Sequence, residues 1–397
     1  MWQLHKTKVN LGFLINPFYL YCIAFVINVF LYLWGWSHIF PKLSVSLILF
    51  LLSSFIIFFF AGKKIVKKEF NFSDKNRYKP FLYDLIFGTI VLLGFINVLG
   101  MGYLPVLDRS HDYRDFGVPV LDPLFHSLSI FFSVFFFHSF LEGKKKTYLI
   151  YVIVILVIQI LLFRRSAIVW ILTSSAFLYF LYKQKVNLLV LIAGFLCLPL
   201  FSYCFGLYGI FRSNLNQTFV MNELGESDSF KDSGISHEHY MTYLYISSPL
   251  ANLQKNIVES KGFMNNHNLK EFIFYSLIPE SFTLRLEKSL NLAPPDYTLI
   301  SPNLIAGSFL MASFYTMGWF GMISMLFFLF LFIILCLEII KKWDTFSVTT
   351  FSLLSTTVSL LIFSNFLNRL EVILMLFIYP VLFHIIFERF KIREASD

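Results

Sequence analysis

Residues 43–68 read LSVSLILFLLSSFIIFFFAGKKIVKK. Positions 43 to 62 carry no charge, and four lysines follow within the next six positions. As a helix, about 20 apolar residues span the roughly 30 Å of a bilayer's hydrocarbon core, and a lysine cluster at one end holds that end on the side where translocation is disfavoured. The stretch therefore reads as a membrane span with a fixed direction.

The same pattern recurs along the chain. Of 397 residues, 57% are hydrophobic, 51 are phenylalanine, only 14% are charged, and mean hydropathy is +0.70, which excludes a water-soluble globule. Apolar runs predict about ten spans, near 15–36, 43–61, 81–103, 123–141, 148–163, 167–182, 187–206, 302–340, 347–365 and 372–388. The 302–340 run exceeds one span and is expected to begin with a partly embedded, re-entrant segment. The predicted class is an all-α polytopic membrane protein in three parts: a bundle over 1–206, a large loop over 207–300 and a second bundle over 301–397. The first run is long enough to span and lacks a small-residue cleavage site, so it reads as a retained helix. Cys22, Cys197, Cys204 and Cys336 all fall in apolar runs without CxxC spacing, as packing residues rather than disulfide or metal ligands.

Lysine sets the orientation. On an even-numbered topology 16 of 22 lysines, but only three of ten arginines, share the side of both termini, which is then cytoplasmic. Seven arginines, at 109, 114, 164, 165, 212, 285 and 369, face the other way. The net charge of +8 is scattered over short links, which fits bilayer orientation and speaks against nucleic acid. Arginine's planar fork binds phosphate with two parallel hydrogen bonds, so its outward bias suggests an anion site. Arg164 and Arg165 stand out, as adjacent cations between two apolar runs, although either one singly is equally well explained by snorkelling to lipid headgroups.

Absences narrow the chemistry. No GxxxxGK[ST], GxGxxG or HExxH occurs, and the predicted spans are nearly free of charge in their middles. Polar groups gather at the outer rim instead, including His111, Asn303, Asn365, Asn368 and Glu371. Within the large loop, 222–236 (NELGESDSFKDSGIS) has the composition of an exposed loop. HEHYMTYLYI (237–246) mixes polar and aromatic residues at helical spacing; Ser248 and Pro249 would start a new helix, and 269–278 reads as amphipathic. His237, Glu238 or His239 could serve as a general base, with no further ligands spaced for a metal.

Several patches resemble the Wzy-type O-antigen polymerases, the oligosaccharide repeat-unit polymerases. They are GYLPVLDRSHDYRDFGVPVL (102–121), RRSAI (164–168), GLYGIFRS (206–213), YLYISSPLANL (243–253) and NLIAGSFLMASFYTMGWFGM (303–322). The resemblance covers most of the chain by topology and these patches by residue. It implies a GT-C-like membrane glycosyltransferase of the bacterial inner membrane with its active site on the periplasmic face. Substrates would be undecaprenyl-pyrophosphate-linked oligosaccharides, with a flippase and a chain-length regulator as neighbours and no cofactor. On that reading Arg164, Arg165, Arg212 and Arg109 or Arg114 clamp the pyrophosphate, His237, Glu238 or His239 is the base, and Tyr240 and Tyr243 offer a sugar-stacking surface. The related O-antigen ligases share the architecture; a glycolipid flippase would be expected to show more even spans and a charged cavity.

Overall fold

The computed structural model describes residues 8–10, 12–65, 79–108, 116–213, 224–260, 268–290, 292 and 294–390. The chain is mostly helical. Its principal helices are α1 (Pro17–Leu33), α2 (Val45–Ile65), α3 (Pro80–Met101), α4 (Leu121–Gly143), α5 (Lys146–Leu161), α6 (Arg165–Lys183), α7 (Leu188–Ser213), α8 (His237–Glu259), α9 (Glu280–Leu290), α10 (Met311–Lys342), α11 (Ser347–Leu360) and α12 (Leu370–Arg389). Among the described residues, seven are long and apolar enough to cross a membrane: α2, α3, α4, α6, α7, α10 and α12. α1 and α5 are apolar but shorter. A helix thus lies at each of the ten predicted intervals, with seven meeting the length expected of a span.

Local chemistry sets the helix ends. Asn16 caps α1 by accepting from the Phe18 amide at 3.0 Å, and Pro17 follows at the first helical position, where no amide is needed. At the far end of α6 a short antiparallel ladder pairs Lys8–Asn10 with Lys185–Asn187 and ties the start of the chain to the α6–α7 link.

The core is aromatic and threaded by α4. Phe131, Phe132, Phe135 and Phe136 are buried there, and Phe132 meets Phe383 of α12 edge to face at 4.7 Å and 88°. α11 lies inside the bundle rather than against lipid: apart from Ser359, its residues Ser347 to Leu360 are all buried. Some of its hydroxyls donate to the helix backbone, as in Ser352 to Thr349 and Thr357 to Leu353, while Ser174 of α6 donates to Thr356 at 2.8 Å. α10 breaks at Gly318 (φ 59°, ψ −142°), so a short helical segment precedes the long one.

α7 is built differently. It has high apolarity, yet none of its residues from 188 to 205 is buried; it joins the molecule chiefly through its second half, against α8. Cys197 and Cys204 are exposed on its apolar surface, whereas Cys336 is buried.

α8 corrects two expectations. It runs unbroken through Ser248 and Pro249, where a new helix was predicted to begin. Proline cannot supply the amide that would bond the Tyr245 carbonyl, and the disrupted turn is braced from outside: Asn28 of α1 donates to the Ile246 carbonyl at 2.8 Å. The 222–236 stretch is also not simply exposed. Leu224, Glu226 and Phe230 are buried in a small second core with Tyr240, Tyr243 and Leu304, closed by Trp36, Ile39 and Phe40 from the segment after α1. The 269–278 stretch forms a short helix (Leu269–Phe272) and a π turn (Ile273–Leu277).

Candidate active site at the loop-rich end

The α5–α6 turn decides how the two adjacent arginines are used. Phe163 adopts a left-handed conformation (φ 55°), sparsely populated for a bulky residue. Its buried ring sits 5.7 Å from that of Tyr208 and 6.0 Å from that of Phe211, both on α7. The turn delivers Arg164 at the N-cap of α6 and Arg165 at its first position, and their side chains leave in different directions.

Arg165 turns to α7 and α8. It is 8% exposed, and its guanidinium carbon lies 4.9 Å from the ring centroid of Tyr245 and 5.1 Å from that of Phe205. Cation–π attraction fixes the plane of the guanidinium. Space for it exists because position 209 is glycine, where a Cβ would stand 2.5 Å from an Arg165 nitrogen. One turn earlier, a Cβ on Gly206 would meet the Glu238 carbonyl oxygen at 1.8 Å, so the start of α8 rests directly on the α7 backbone. Arg212 continues this series, three residues beyond Gly209 near the end of α7. The GLYG step thus docks α8 and Arg165 side by side, about 4.5 Å apart along the helix axis.

Arg164 turns to α4. It forms an ion pair with Asp122, and its Nη2 also donates to the Phe116 carbonyl at 3.4 Å. Both charged side chains are about one-fifth exposed (17% and 20%). His126, one turn further along α4, is within electrostatic reach of Arg164 and Arg369, and Glu371 of Asp122, Arg369 and Glu280. Arg369 closes on Glu280 at 2.5 Å. Asn365 and Asn368 donate to the Ser276 and Tyr275 carbonyls at 2.7 and 3.3 Å, carbonyls of the π turn. These rim groups therefore fasten the 275–280 segment to the bundle.

The three base candidates separate. The Nδ1 of His237 lies 2.8 Å from a carboxylate oxygen of Glu226. Glu238 is buried, its backbone against Gly206 of α7, and His239 also meets α7, its Nδ1 3.0 Å from the Ser202 hydroxyl. Tyr240 and Tyr243 do not present the stacking surface expected of them. Both are buried, Tyr240 donates to the Leu224 carbonyl at 2.8 Å, and the rings pack on Phe230, Trp36 and Phe40. Burial pushes the Tyr243 hydroxyl up to about 12, against a smaller opposing effect of the Trp36 and Ser37 backbone. Arg109 and Arg114 lie outside the described residues, as does the Arg212 side chain. Sequence reasoning passed over Glu226, hidden in a small-polar run, and Asp122, placed at the edge of an apolar one. Among the described residues no cluster of three His, Cys, Asp or Glu is placed to hold a metal ion.

No family model, curated protein or solved structure matches this chain. The functional reading rests on its own residues and on the patches of resemblance described above.

Proposed function

We propose that the chain is a repeat-unit polymerase acting on lipid-diphosphate-linked oligosaccharides at the periplasmic face of the bacterial inner membrane. The growing glycan would pass from its undecaprenyl carrier to the non-reducing-end sugar of an incoming lipid-linked unit. The observation that carries this reading is the splayed arginine pair at the start of α6, with Arg165 held against the Phe205 and Tyr245 rings.

The chemistry asks for little else. A lipid diphosphate leaves as an anion, so the barrier falls when cations already stand where that charge develops and the acceptor hydroxyl is aligned behind the anomeric carbon. Arg165 and Arg212 are the clamp this reading favours, with Arg164 tempered by Asp122. The donor supplies the driving force, which agrees with a sequence lacking nucleotide-binding motifs.

Disrupting the gene in its native host and resolving surface polysaccharide on gels tests the reading. Loss of the ladder with retention of a core-plus-one-unit band is the expected result. Loss of all capped core, with polymer accumulating on the carrier, would assign ligase activity instead. Accumulation of single units on the cytoplasmic leaflet would assign a flippase.

A further inference from the structure

We propose that Glu226 is the positioning residue of a carboxylate–imidazole dyad that presents His237 Nε2 as the proton acceptor. The inference rests on the polymerase reading for its substrate, but the dyad itself rests on geometry. Glu226 is 4% exposed, and its carboxylate meets His237 Nδ1 at 2.8 Å, while the His237 side chain keeps 28% of its surface open. An ionised carboxylate can only accept, so it fixes the proton on Nδ1 and leaves the lone pair on Nε2.

Both partners are anchored from different directions. The Glu226 backbone forms an antiparallel bridge with Ser37, flanked by His38 N–H to the Gly225 carbonyl (2.8 Å) and Ser227 N–H to the Trp36 carbonyl (2.9 Å). The His38 ring lies 3.2 Å from the Glu226 carbonyl oxygen, and Tyr240 is the other titratable neighbour of the carboxylate. His237 opens α8, whose next residue sits on Gly206. A buried acid held by one segment thus aims an imidazole held by another.

In the step this arrangement serves, the acceptor O–H proton passes to His237 Nε2. The oxygen forms its bond to the anomeric carbon, and the bond from that carbon to the diphosphate breaks with its electron pair on the diphosphate. The imidazolium then returns its proton to the diphosphate or to water. Removing the orienting carboxylate keeps substrate binding and slows the step.

Two measurements decide the proposal. In the first, the whole chain in detergent is treated with diethyl pyrocarbonate at pH 8, and adducts at His237 and His239 are separated by fragment-ion mass spectrometry. Glu226→Gln is expected to slow modification of His237 by roughly fivefold, the loss of one nearby charge, while His239 keeps its rate. Equal His237 rates overturn the dyad. In the second, membranes are supplied with lipid-linked single units extracted from a strain lacking the gene. Glu226→Gln is expected to lower kcat on the order of 10²-fold with KM unchanged. Glu226→Asp should recover part of the loss, and Glu226→Gln combined with His237→Gln should be no slower than His237→Gln alone. Additive losses, or a matching fall in Tm, would leave Glu226 a merely structural role and overturn the proposal. A wild-type protein that lengthens no glycan would sink the polymerase reading, while the adduct rates still decide the dyad.

Discussion

The guanidinium of Arg165 lies 4.9 Å from the ring of Tyr245, across a helix backbone that approaches closely because residue 209 has no side chain. Arg165→Lys keeps the charge but loses the planar contact and the two-pronged grip on phosphate oxygens. It should shorten the polysaccharide ladder, and Gly209→Ala, which leaves both aromatic rings and the arginine in place, should shorten it as well by displacing the guanidinium. Normal chain length in Gly209→Ala would show that the position of Arg165 does not matter.

Gly206→Ala tests the helix contact one turn away. An added methyl would have to move the Glu238 backbone, and overpacking of this kind costs about 1–3 kcal/mol or more. The expected result is a lower Tm in detergent and reduced accumulation in the membrane. A Tm unchanged within error would mean that α7 and α8 separate freely.

Asp122→Asn should separate stability from anion affinity. A charge-assisted bond between partly buried side chains is worth about 1.5–3 kcal/mol, discounted here for the exposed fifth of each, so Tm should fall modestly. Arg164 would then lack its ion-pair partner, and inorganic diphosphate should inhibit more tightly than in the wild type. Weaker inhibition would remove Arg164 from the clamp.

Asn252 of α8 holds an extended segment by three bonds: its amide donates to the Leu304 and Ala306 carbonyls at 2.6 and 2.8 Å, and its oxygen accepts from the Ile300 amide at 2.9 Å. The side chain is fully buried. Asn252→Asp removes both donors and points a carboxylate at two carbonyls, at a cost of about 2–5 kcal/mol. Limited proteolysis should then cut within 294–306, where the wild type resists.

Alkaline pH probes the second core. The Tyr243 hydroxyl sits at about 12 against an ordinary 10, so the neutral form is the one the fold favours. Its contribution is complete below pH 10 and is lost as pH rises from 10 through 12. Tm in detergent should drop between pH 10 and 12, and the drop should be smaller in Tyr243→Phe. An equal drop in both would place the alkaline sensitivity elsewhere.

The helix positions were legible because hydropathy at this strength leaves little choice of structure. Other features were not. Pro249 reads as a helix start from its neighbours alone, and only Asn28, more than 200 positions away, explains why the helix continues. α11 reads as a span, yet its serines and threonines mark an interior helix rather than a lipid-facing one. Tyr240 and Tyr243 have the composition of a binding surface and the burial of a core, a difference that depends on Trp36 and Phe40 from a distant segment. Glu226 gave no signal, since one acid among small polar residues looks the same exposed or buried.

The left-handed Phe163 has a further consequence. A helix advances about 100° per residue, so consecutive side chains diverge only as long as the phase of α6 is held, and the Leu162–Arg164 turn holds it. Deleting one residue there would swing both arginines by that angle, carrying one toward the partners of the other. The chain should therefore accept substitutions around RRS more readily than any change in its length.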